Sequence, residues 1–284
     1  MQTYDLTKVH EVSLRILKEI DRICRKYRIR YLMDSGTLLG AVRHQGFIPW
    51  DDDADVAFTR EQYEAFLKVV RRELPPGMEL VLPEEFAGGA YFYDFTARII
   101  YKNSKIYKDS KDVHYHQGRP NHIWIDLFVI DKLPERAWQA AGIRFLQKTV
   151  YGLAMGHRYR LDYKKYSGME RMVVAGLAGA GKLIPLRTLY RMQRVMSLRT
   201  RRSKGSLRYY SNYQPDYLDV TLDKAWCENV VNLPFEGTML MAPKEWHQVL
   251  TKIYGDYTQM PPAGQRRPTH TSMQIEVFDE EVAE

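Results

Sequence analysis

Four aspartates occur within five positions of one short stretch, at Asp51, Asp52, Asp53 and Asp55. The chain has a formal net charge of +7, so this concentration of negative charge runs against its overall composition. Like charges at such close spacing repel one another, and the repulsion grows when the site is buried. Either solvent screens these carboxylates, as in an acidic surface turn, or a cation neutralises them.

Asp53 and Asp55 are two positions apart at the start of a predicted strand, so their side chains point the same way. Two such carboxylates form the hard-oxygen site that Mg²⁺ or Mn²⁺ prefers. A third carboxylate, Asp126, interrupts the apolar stretch of residues 123–130 and needs a partner there. If the two strands are neighbours, all three carboxylates converge on one ion or ion pair; otherwise Asp126 is a satisfied structural carboxylate.

A turn upstream of the aspartates supplies a second chemical feature, Ser35, Gly36 and Thr37. A glycine permits close backbone approach, and the helix N-terminus that follows offers free N–H groups to a phosphate. Metal-binding carboxylates beside a phosphate site indicate phosphoryl transfer. Asp51 and Asp52 are predicted to support the metal-binding pair, behind the first layer of ligands or as helix caps.

The elements that position these residues follow from the hydrophobic periodicity. Helices are predicted over residues 6–27, 37–43, 60–73 and 243–254, and strands over 30–33, 54–59, 91–101 and 123–130. Residues 134–208 are predicted to be mainly helical, and residues 209–236 give no clear pattern. The alternation of helices and strands predicts an α/β (α+β) fold with a mixed sheet flanked by helices.

The composition is that of an ordinary globular protein, with 45% hydrophobic and 27% charged residues. Two distant cysteines, Cys24 and Cys227, exclude a CxxC motif and argue against a disulfide framework. We find neither a secretory signal nor a run of about 18 apolar residues. A cytoplasmic location is therefore expected, either free or peripheral on the inner face of the membrane. The basic balance predicts an anionic partner.

The residues around this site resemble the LicD family of phosphocholine transferases, within the nucleotidyltransferase-fold superfamily. The matching stretches are SGTLLGAVRHQGFIPWDDDADV at 35–56, WIDLFVID at 124–131 and PFEGTMLMAPKEWHQVLTKIYGDYTQMPP at 234–262. We accordingly predict a nucleotidyltransferase-like core at 1–133 and a C-terminal segment at 226–284 that packs back on it. Between them, residues 134–225 form a mainly helical basic segment, a candidate for contact with a membrane or the acceptor.

The resemblance implies Mg²⁺-dependent transfer of phosphocholine from CDP-choline to a hydroxyl of a cell-surface glycan precursor, with release of CMP. The acceptor would be of the lipopolysaccharide, capsule or teichoic acid type. Another CDP-alcohol or a CMP-phosphonate remains an alternative donor, for phosphoethanolamine, ribitol phosphate or 2-aminoethylphosphonate. Carried over to this sequence, Asp53, Asp55 and Asp126 would hold the metal, and Ser35 and Gly36 would hold phosphate. Asp126 is also the candidate general base.

Several basic residues are candidates for binding the donor phosphates. Arg43 and His44 follow the phosphate turn and either pair with the donor or lie at a solvated helix end. The resemblance adds Arg266, Arg267 and His270, which stand in its closing segment.

Three aromatic residues, Tyr91, Tyr93 and Trp124, have two possible roles. They either form part of an aromatic cage for a quaternary ammonium or pack in the core. Tyr91 and Tyr93 would share one face of the predicted strand over 91–101.

Residues 187–208 hold eight lysines and arginines and no acidic residue. With the apolar residues around it, this basic arm suggests contact with an anionic membrane. The alternatives are an ordinary solvated helix and a nucleic-acid interface, for which we find no recognition motif, so that no nucleic-acid partner is expected. Upstream, GLAGAGK at 176–182 has the spacing of a Walker A loop, but Leu183 replaces its Ser or Thr. We interpret it as a flexible segment of small residues.

Overall fold

A computed structural model describes residues 5–106, 111–268 and 275–278. Helices and strands alternate through the first half of the chain around a mixed sheet, which confirms the predicted fold class. The helices are α1 Thr7–Lys26, α2 Ser35–His44, α3 Arg60–Leu67, α4 Val70–Glu73, α5 Lys111–Tyr115, α6 Ala137–Ala154, α7 Gly168–Gly181, α8 Leu186–Arg199, α9 Lys224–Glu228 and α10 Trp246–Tyr254. The strands are β1 Leu32–Met33, β2 Asp55–Thr59, β3 Met78–Val81, β4 Ala97–Tyr101, β5 Ser104–Ile106, β6 Ile123–Lys132, β7 Leu207–Tyr210, β8 Thr221–Asp223, β9 Val230–Phe235, β10 Thr238–Pro243 and β11 Ile275–Val277.

The central sheet has the strand order β1-β2-β6-β4-β3, with β7 and β8 joined to it through β6. β2 and β6 run parallel, whereas the other pairs of this sheet are antiparallel. β6 has ten residues and pairs with β2, β4 and β7. Most of its side chains are buried, as expected for a strand covered on both faces.

α1 covers part of this sheet with an amphipathic face. Ile16, Leu17 and Ile20 are fully buried, and the helix packs against β4 and β6. Each buried aliphatic side chain of this size contributes about 1.5–3 kcal/mol to folding. At the start of the helix, the carboxylate of Asp5 accepts a 3.1 Å hydrogen bond from the backbone N–H of Thr7.

The middle segment is mainly helical, as predicted. Side chains from α6, α7 and α8 form a second hydrophobic core with Phe92 and Phe95, which precede β4. The segment also contributes to the central sheet, because β7 pairs with the end of β6. The two parts of the molecule are therefore joined by strand pairing as well as by packing.

Small residues allow α6 and the end of α7 to approach each other closely. A Cβ atom on Gly181 would lie 1.9 Å from the carbonyl oxygen of Leu153, and one on Gly156 would lie 2.1 Å from that of Ala178. The GLAGAG stretch thus belongs to a packed helix rather than to a flexible segment, and our interpretation of it as flexible was wrong. Among the described helices, none alone has the length and apolar composition of a membrane span. α7 and α8 together meet those criteria, but across a bend of 113°.

Three local predictions also differ from the structure. The helix predicted over residues 60–73 is divided into α3 and α4 by a break at Lys68 and Val69. The strand predicted over 91–101 begins only at Ala97, because residues 91–96 are irregular. The unassigned stretch 209–236 contains part of β7, then β8, α9 and β9, and β9 forms a hairpin with β10.

Candidate active site

A pocket of about 900 Å³ contains most of the predicted site residues. One part of its lining is acidic and combines the first turn of α2, the loop before β2, the start of β2 and one residue of β6: Ser35, Gly36, Asp51, Asp53, Asp55 and Asp126. Basic residues from three parts of the chain line it as well: Arg98, Arg158, Arg160, Lys165 and Arg267. The pocket therefore presents a carboxylate cluster together with cationic groups suited to an anionic ligand.

The first turn of α2 is shaped around the aspartates. Ser35 has a left-handed backbone (φ 47°), which is uncommon for serine. A Cβ atom on Gly36 would lie 2.3 Å from Oδ2 of Asp51, so only glycine lets that carboxylate approach the helix start. The hydroxyl oxygen of Thr37 accepts a 2.8 Å hydrogen bond from the backbone N–H of Asp55. Thr37 thus attaches the beginning of β2 to α2.

Strand register pairs two of the three predicted metal ligands. Asp55 on β2 and Asp126 on β6 are direct partners in the parallel pair, and the backbone N–H of Asp126 donates to the carbonyl oxygen of Ala54 at 3.2 Å. Asp53 precedes β2 by two residues. The carboxylates of Asp51, Asp52 and Asp53 also approach one another, with ligand oxygens within 4.8 Å. Among the described residues, this close group includes Asp51 and Asp52, which were predicted to play a supporting role, and it does not include Asp55 or Asp126.

Burial and mutual repulsion raise the pKa values of three of these carboxyl groups. Burial and the charge of Asp53 raise the pKa of Asp51 to about 9. The pKa of Asp55 is raised well above its usual value, first by burial and then by the charges of Asp53 and Asp126. For Asp126 burial raises the pKa to about 6, although the cation of Arg98 acts in the opposite direction. A cation bound among these groups would relieve the repulsion and favour their ionised forms.

The loop that carries Asp51 is held at two points by distant residues. Nε2 of His10 donates to the carbonyl oxygen of Asp51 at 2.7 Å, and the His10 ring stacks on Phe47 with centroids 4.4 Å apart. From the tip of the β9–β10 hairpin, Oε1 of Glu236 accepts a 3.0 Å hydrogen bond from the backbone N–H of Phe47. The backbone N–H of Glu236 donates to the carbonyl oxygen of Gln45 at 2.9 Å. These contacts fix the loop that leads into the acidic cluster.

Arg98 balances part of the negative charge. Its guanidinium forms an ion pair with Asp94 (Nη2 to Oδ2, 2.6 Å) and another with Asp126 (Nε to Oδ1, 2.7 Å). The second oxygen of Asp126 accepts a 3.0 Å hydrogen bond from Nε1 of Trp124. Both oxygens of Asp126 therefore have partners, which fix the direction of its carboxylate.

Comparisons with known proteins find a matching family and a similar protein. Residues 28–150 match the family described as "LicD/FKTN/FKRP, nucleotidyltransferase domain". Over 282 residues the chain is 27% identical to "Lipopolysaccharide cholinephosphotransferase LicD" of Haemophilus influenzae, covering 95% of this chain and 97% of that protein. Both comparisons support the resemblance to the LicD family that the sequence showed. They also support an enzyme of the phosphotransferase class.

Two further relatives match over short stretches. An uncharacterized protein of Rickettsia typhi is 38% identical over 71 residues, which cover 25% of this chain and 23% of that protein. An uncharacterized protein of Rickettsia prowazekii is 49% identical over 62 residues, which cover 22% of this chain and 23% of that protein. Because the matched stretches are less than a quarter of those proteins, they support no statement about function.

Not all predicted phosphate-binding residues reach the pocket. Arg43 and His44 lie in the last turn of α2, at the opposite end from Ser35, so the helix separates them by about 12 Å. Arg43 instead donates to the carbonyl oxygen of Tyr257 at 3.2 Å. His44 meets the ring of Trp50 edge-on. The structure does not bring these two residues to the phosphate end of the helix.

The predicted phosphate-binding residues of the C-terminal segment also differ in whether they reach the pocket. Arg267 lines the pocket, as a donor-binding residue would. Arg266 instead places its guanidinium over the ring of Trp50, 5.5 Å from the centroid, and donates to the carbonyl oxygen of Pro261 at 2.9 Å. His270 lies outside the described residues.

The predicted aromatic cage holds a side chain of the protein itself. The guanidinium of Arg98 lies over the rings of Tyr93 and Trp124, 4.9 Å and 5.4 Å from their centroids. Tyr91 belongs to a different group of rings, with Tyr115 and Tyr159. The expectation that Tyr91 and Tyr93 share a strand face was wrong, because both precede β4. The structure therefore does not bring the three predicted rings together around an empty space.

Sequence reasoning missed Arg98, although the sequence contains the signal for it. Arg98 is the only charged residue of β4 (ARIIY), just as Asp126 interrupts the apolar residues of β6. Two charges of opposite sign in apolar strands predict a buried ion pair. Sequence reasoning also missed Tyr213, Tyr217 and Tyr254, which line the pocket. Tyr213 and Tyr217 lie in the stretch without a clear pattern.

Proposed function

We propose that this protein transfers phosphocholine from CDP-choline to a hydroxyl of lipopolysaccharide, with release of CMP and with Mg²⁺ or Mn²⁺ as cofactor. The observation that carries the proposal is the register pairing of Asp55 with Asp126, next to Asp53 and the start of α2 in one pocket. The printed name of the Haemophilus influenzae relative supports the transferred group and the acceptor.

The residues of the acidic cluster fit a divalent cation. Their donor atoms are carboxylate oxygens, which Mg²⁺ and Mn²⁺ prefer. The raised pKa values of Asp51 and Asp55 are caused partly by repulsion from neighbouring aspartates, which a cation would remove. Asp53, Asp55 and Asp126 would hold the ion, with Asp51 and Asp52 adjacent. When bound, the metal neutralises phosphate charge and aligns the attacking oxygen.

The protein's own groups would bind the donor phosphate and hold it for the reaction. The free N–H groups at the start of α2, beside Ser35 and Gly36, would bind a donor phosphate, and Arg267 would add positive charge. The acceptor hydroxyl oxygen forms a bond to the choline-bearing phosphorus while the bond from that phosphorus to the CMP oxygen breaks. Arg98 and Trp124 each contact one oxygen of Asp126, and each oxygen keeps a second lone pair. Asp126 would therefore both help to hold the metal and accept the proton of the acceptor hydroxyl as general base.

The transferred group is the part of the proposal with the least structural support. The rings of Tyr93 and Trp124 contact Arg98, so they offer no argument for choline over another group. Another CDP-alcohol or a CMP-phosphonate donor is the alternative under the same chemistry. A panel of cytidine donors separates these possibilities.

The test measures CMP release by the purified full chain with Mg²⁺ and lipopolysaccharide that lacks phosphocholine. We expect CDP-choline to be the best donor, and Asp53→Ala to abolish release while the protein stays folded. The matched control is Asp223→Ala, which removes an exposed aspartate outside the pocket and should leave release unchanged. Near-full activity of Asp53→Ala, or equal activity after metal chelation, would show that the metal assignment is wrong. Preference for a different donor would replace choline but keep the reaction type.

A further inference from the structure

One face of α7 is apolar and exposed. Met169, Met172 and Val173 are 81%, 75% and 53% exposed, and Leu183, just after the helix, is 86% exposed. Steps of three and four residues from Met169 place Met172 and Val173 on the same side of α7, and Leu183 adds an exposed apolar side chain just beyond its end. Residues 172–181 contain no charged side chain. A continuous apolar stripe of this kind marks an interaction surface.

The other side of α7 already packs against the protein. Ala178 and Gly181 are buried there, and the space at Gly181 is filled by the backbone of Leu153 on α6. The apolar stripe is therefore not the face that attaches α7 to the core. Within the described residues, nothing covers it.

The segment that follows this stripe along the chain is strongly basic. No acidic residue occurs from position 171 to position 215. Of the eight lysines and arginines in 187–208, Arg201 and Arg208 form ion pairs, with Glu64 and Glu228. The other six are without an ion pair among the described residues: Arg187, Arg191, Arg194, Arg199, Arg202 and Lys204. All six are exposed.

We propose that the α7 stripe and the basic surface of α8 together form a docking face for an anionic lipid bilayer. Exposed apolar side chains beside unpaired cations match hydrocarbon that lies under negatively charged headgroups. The combined composition of α7 and α8 is apolar enough to meet the length and hydropathy criteria of a span, although their bend of 113° fits a helix pair lying in the interface. A nucleic acid would match the cations but would leave the methionine, valine and leucine side chains without an apolar partner.

The docking face is adjacent to the pocket along the chain. The segment between α6 and α7 contributes Arg158, Arg160 and Lys165 to the pocket lining, and α7 begins three residues after Lys165. Three residues span at most about 11 Å. A bilayer bound at α7 would thus lie close to the basic part of the pocket, where an acceptor attached to lipid could enter. This inference holds whichever donor the enzyme uses.

The test is co-sedimentation of the full chain with lipid vesicles, which needs no substrate. We expect binding to vesicles that contain phosphatidylglycerol and much weaker binding to vesicles of phosphatidylcholine alone. The double variant Met172→Glu/Leu183→Glu should reduce the partition coefficient about tenfold or more. The control Met239→Glu, at a methionine 49% exposed on β10, should bind as the unaltered chain does. Thermal unfolding of each variant shows whether it is folded.

A second variant tests the charge and keeps the apolar stripe. Arg191→Gln/Arg194→Gln should weaken binding to anionic vesicles several-fold and leave the weak binding to neutral vesicles unchanged. Equal binding of the unaltered chain to both vesicle types, or to neither, would overturn the proposal. So would a dimer in solution that Met172→Glu/Leu183→Glu converts to a monomer, because a second copy would then cover the face. Tighter binding to single-stranded RNA than to anionic vesicles would also overturn it.

Discussion

The acidic cluster and the basic docking face each concentrate charges of one sign. The fold buries the carboxylates of the first and exposes the cations of the second to solvent. The carboxylates of Asp51, Asp55 and Asp126 lie in a tightly held loop, at the start of β2 and within β6, largely out of solvent. The cations of α8 project from a helix into water. Solvent and salt screen exposed charges, whereas buried like charges raise one another's pKa. The buried cluster therefore requires a bound cation to be fully ionised, and the exposed one does not.

The same contrast governs how precisely the charges are placed. Asp55 and Asp126 are fixed by backbone register, and Asp126 is also held by Arg98 and Trp124. Arg191 and Arg194 have no ion-pair partner among the described residues and keep their rotamer freedom. Fixed geometry suits the alignment of a reacting phosphate, and mobile cations suit a fluid surface of headgroups.

The largest effect is expected from Asp55→Asn. It should lower turnover at least about a thousandfold, because it removes a ligand of the proposed metal. In the absence of metal it should not lower the free energy of unfolding, since the change removes a repelled charge. Steady-state CMP release and urea denaturation measure the two quantities.

Asp131→Asn is the matched control, five residues after Asp126 on the same strand. Asp131 is paired with the buried Arg60 at 2.6 Å and does not line the pocket. Its loss should lower the free energy of unfolding by about 3–5 kcal/mol, while turnover per folded molecule is retained. If both variants lose stability alike, the division into catalytic and structural carboxylates is wrong.

The next largest effect is expected at Arg98. Arg98→Met leaves the buried charges of Asp94 and Asp126 without their cation and should reduce the free energy of unfolding by about 3–5 kcal/mol. Arg71→Met removes an exposed pair with Glu85 and should change it by about 1 kcal/mol or less. Urea denaturation of both variants makes the comparison. Equal stability of Arg98→Met and the unaltered chain would show that Arg98 does not balance the cluster.

A smaller effect is expected from adding one methyl group at the start of α2. Gly36→Ala places a Cβ atom 2.3 Å from Oδ2 of Asp51 and should lower stability by about 1–3 kcal/mol. It should also displace that carboxylate and reduce turnover. Gly176→Ala on α7 has open space and should stabilise the helix by up to about 1 kcal/mol. Thermal unfolding and CMP release are measured for both variants. Unchanged turnover of Gly36→Ala would show that catalysis does not depend on the position of the Asp51 carboxylate.

The smallest effect on folding is expected at the basic surface. Arg191→Gln/Arg194→Gln should change the free energy of unfolding by no more than about 0.5 kcal/mol, because both side chains are exposed and neither has an ion-pair partner among the described residues. Urea denaturation at low and high salt checks this. A marked loss of stability would mean that these cations are structural, and the contrast with the acidic cluster would disappear.

Sequence patterns pointed to the site residues that lie on strands, Asp55 and Asp126. Strand periodicity and a charge within an apolar run are local signals that a sequence shows directly. The same rule applied to β4 would have found Arg98. Patterns could not predict which end of α2 faces the pocket, so Arg43 and His44 were grouped with Ser35. Nor could they predict that Arg98 contacts Tyr93, because that contact depends on how the irregular residues before β4 pack.

The contact of Glu236 with Phe47 forms late during synthesis, so the site is completed late as well. The two residues are 189 positions apart, so the contact cannot form until the β9–β10 hairpin has emerged from the ribosome. Until then the loop that carries Asp51 lacks one of its two attachments. A nascent chain that ends after residue 150, where the family match ends, contains every carboxylate of the cluster but not this attachment. Affinity for the proposed metal should therefore develop late, when the chain is nearly complete.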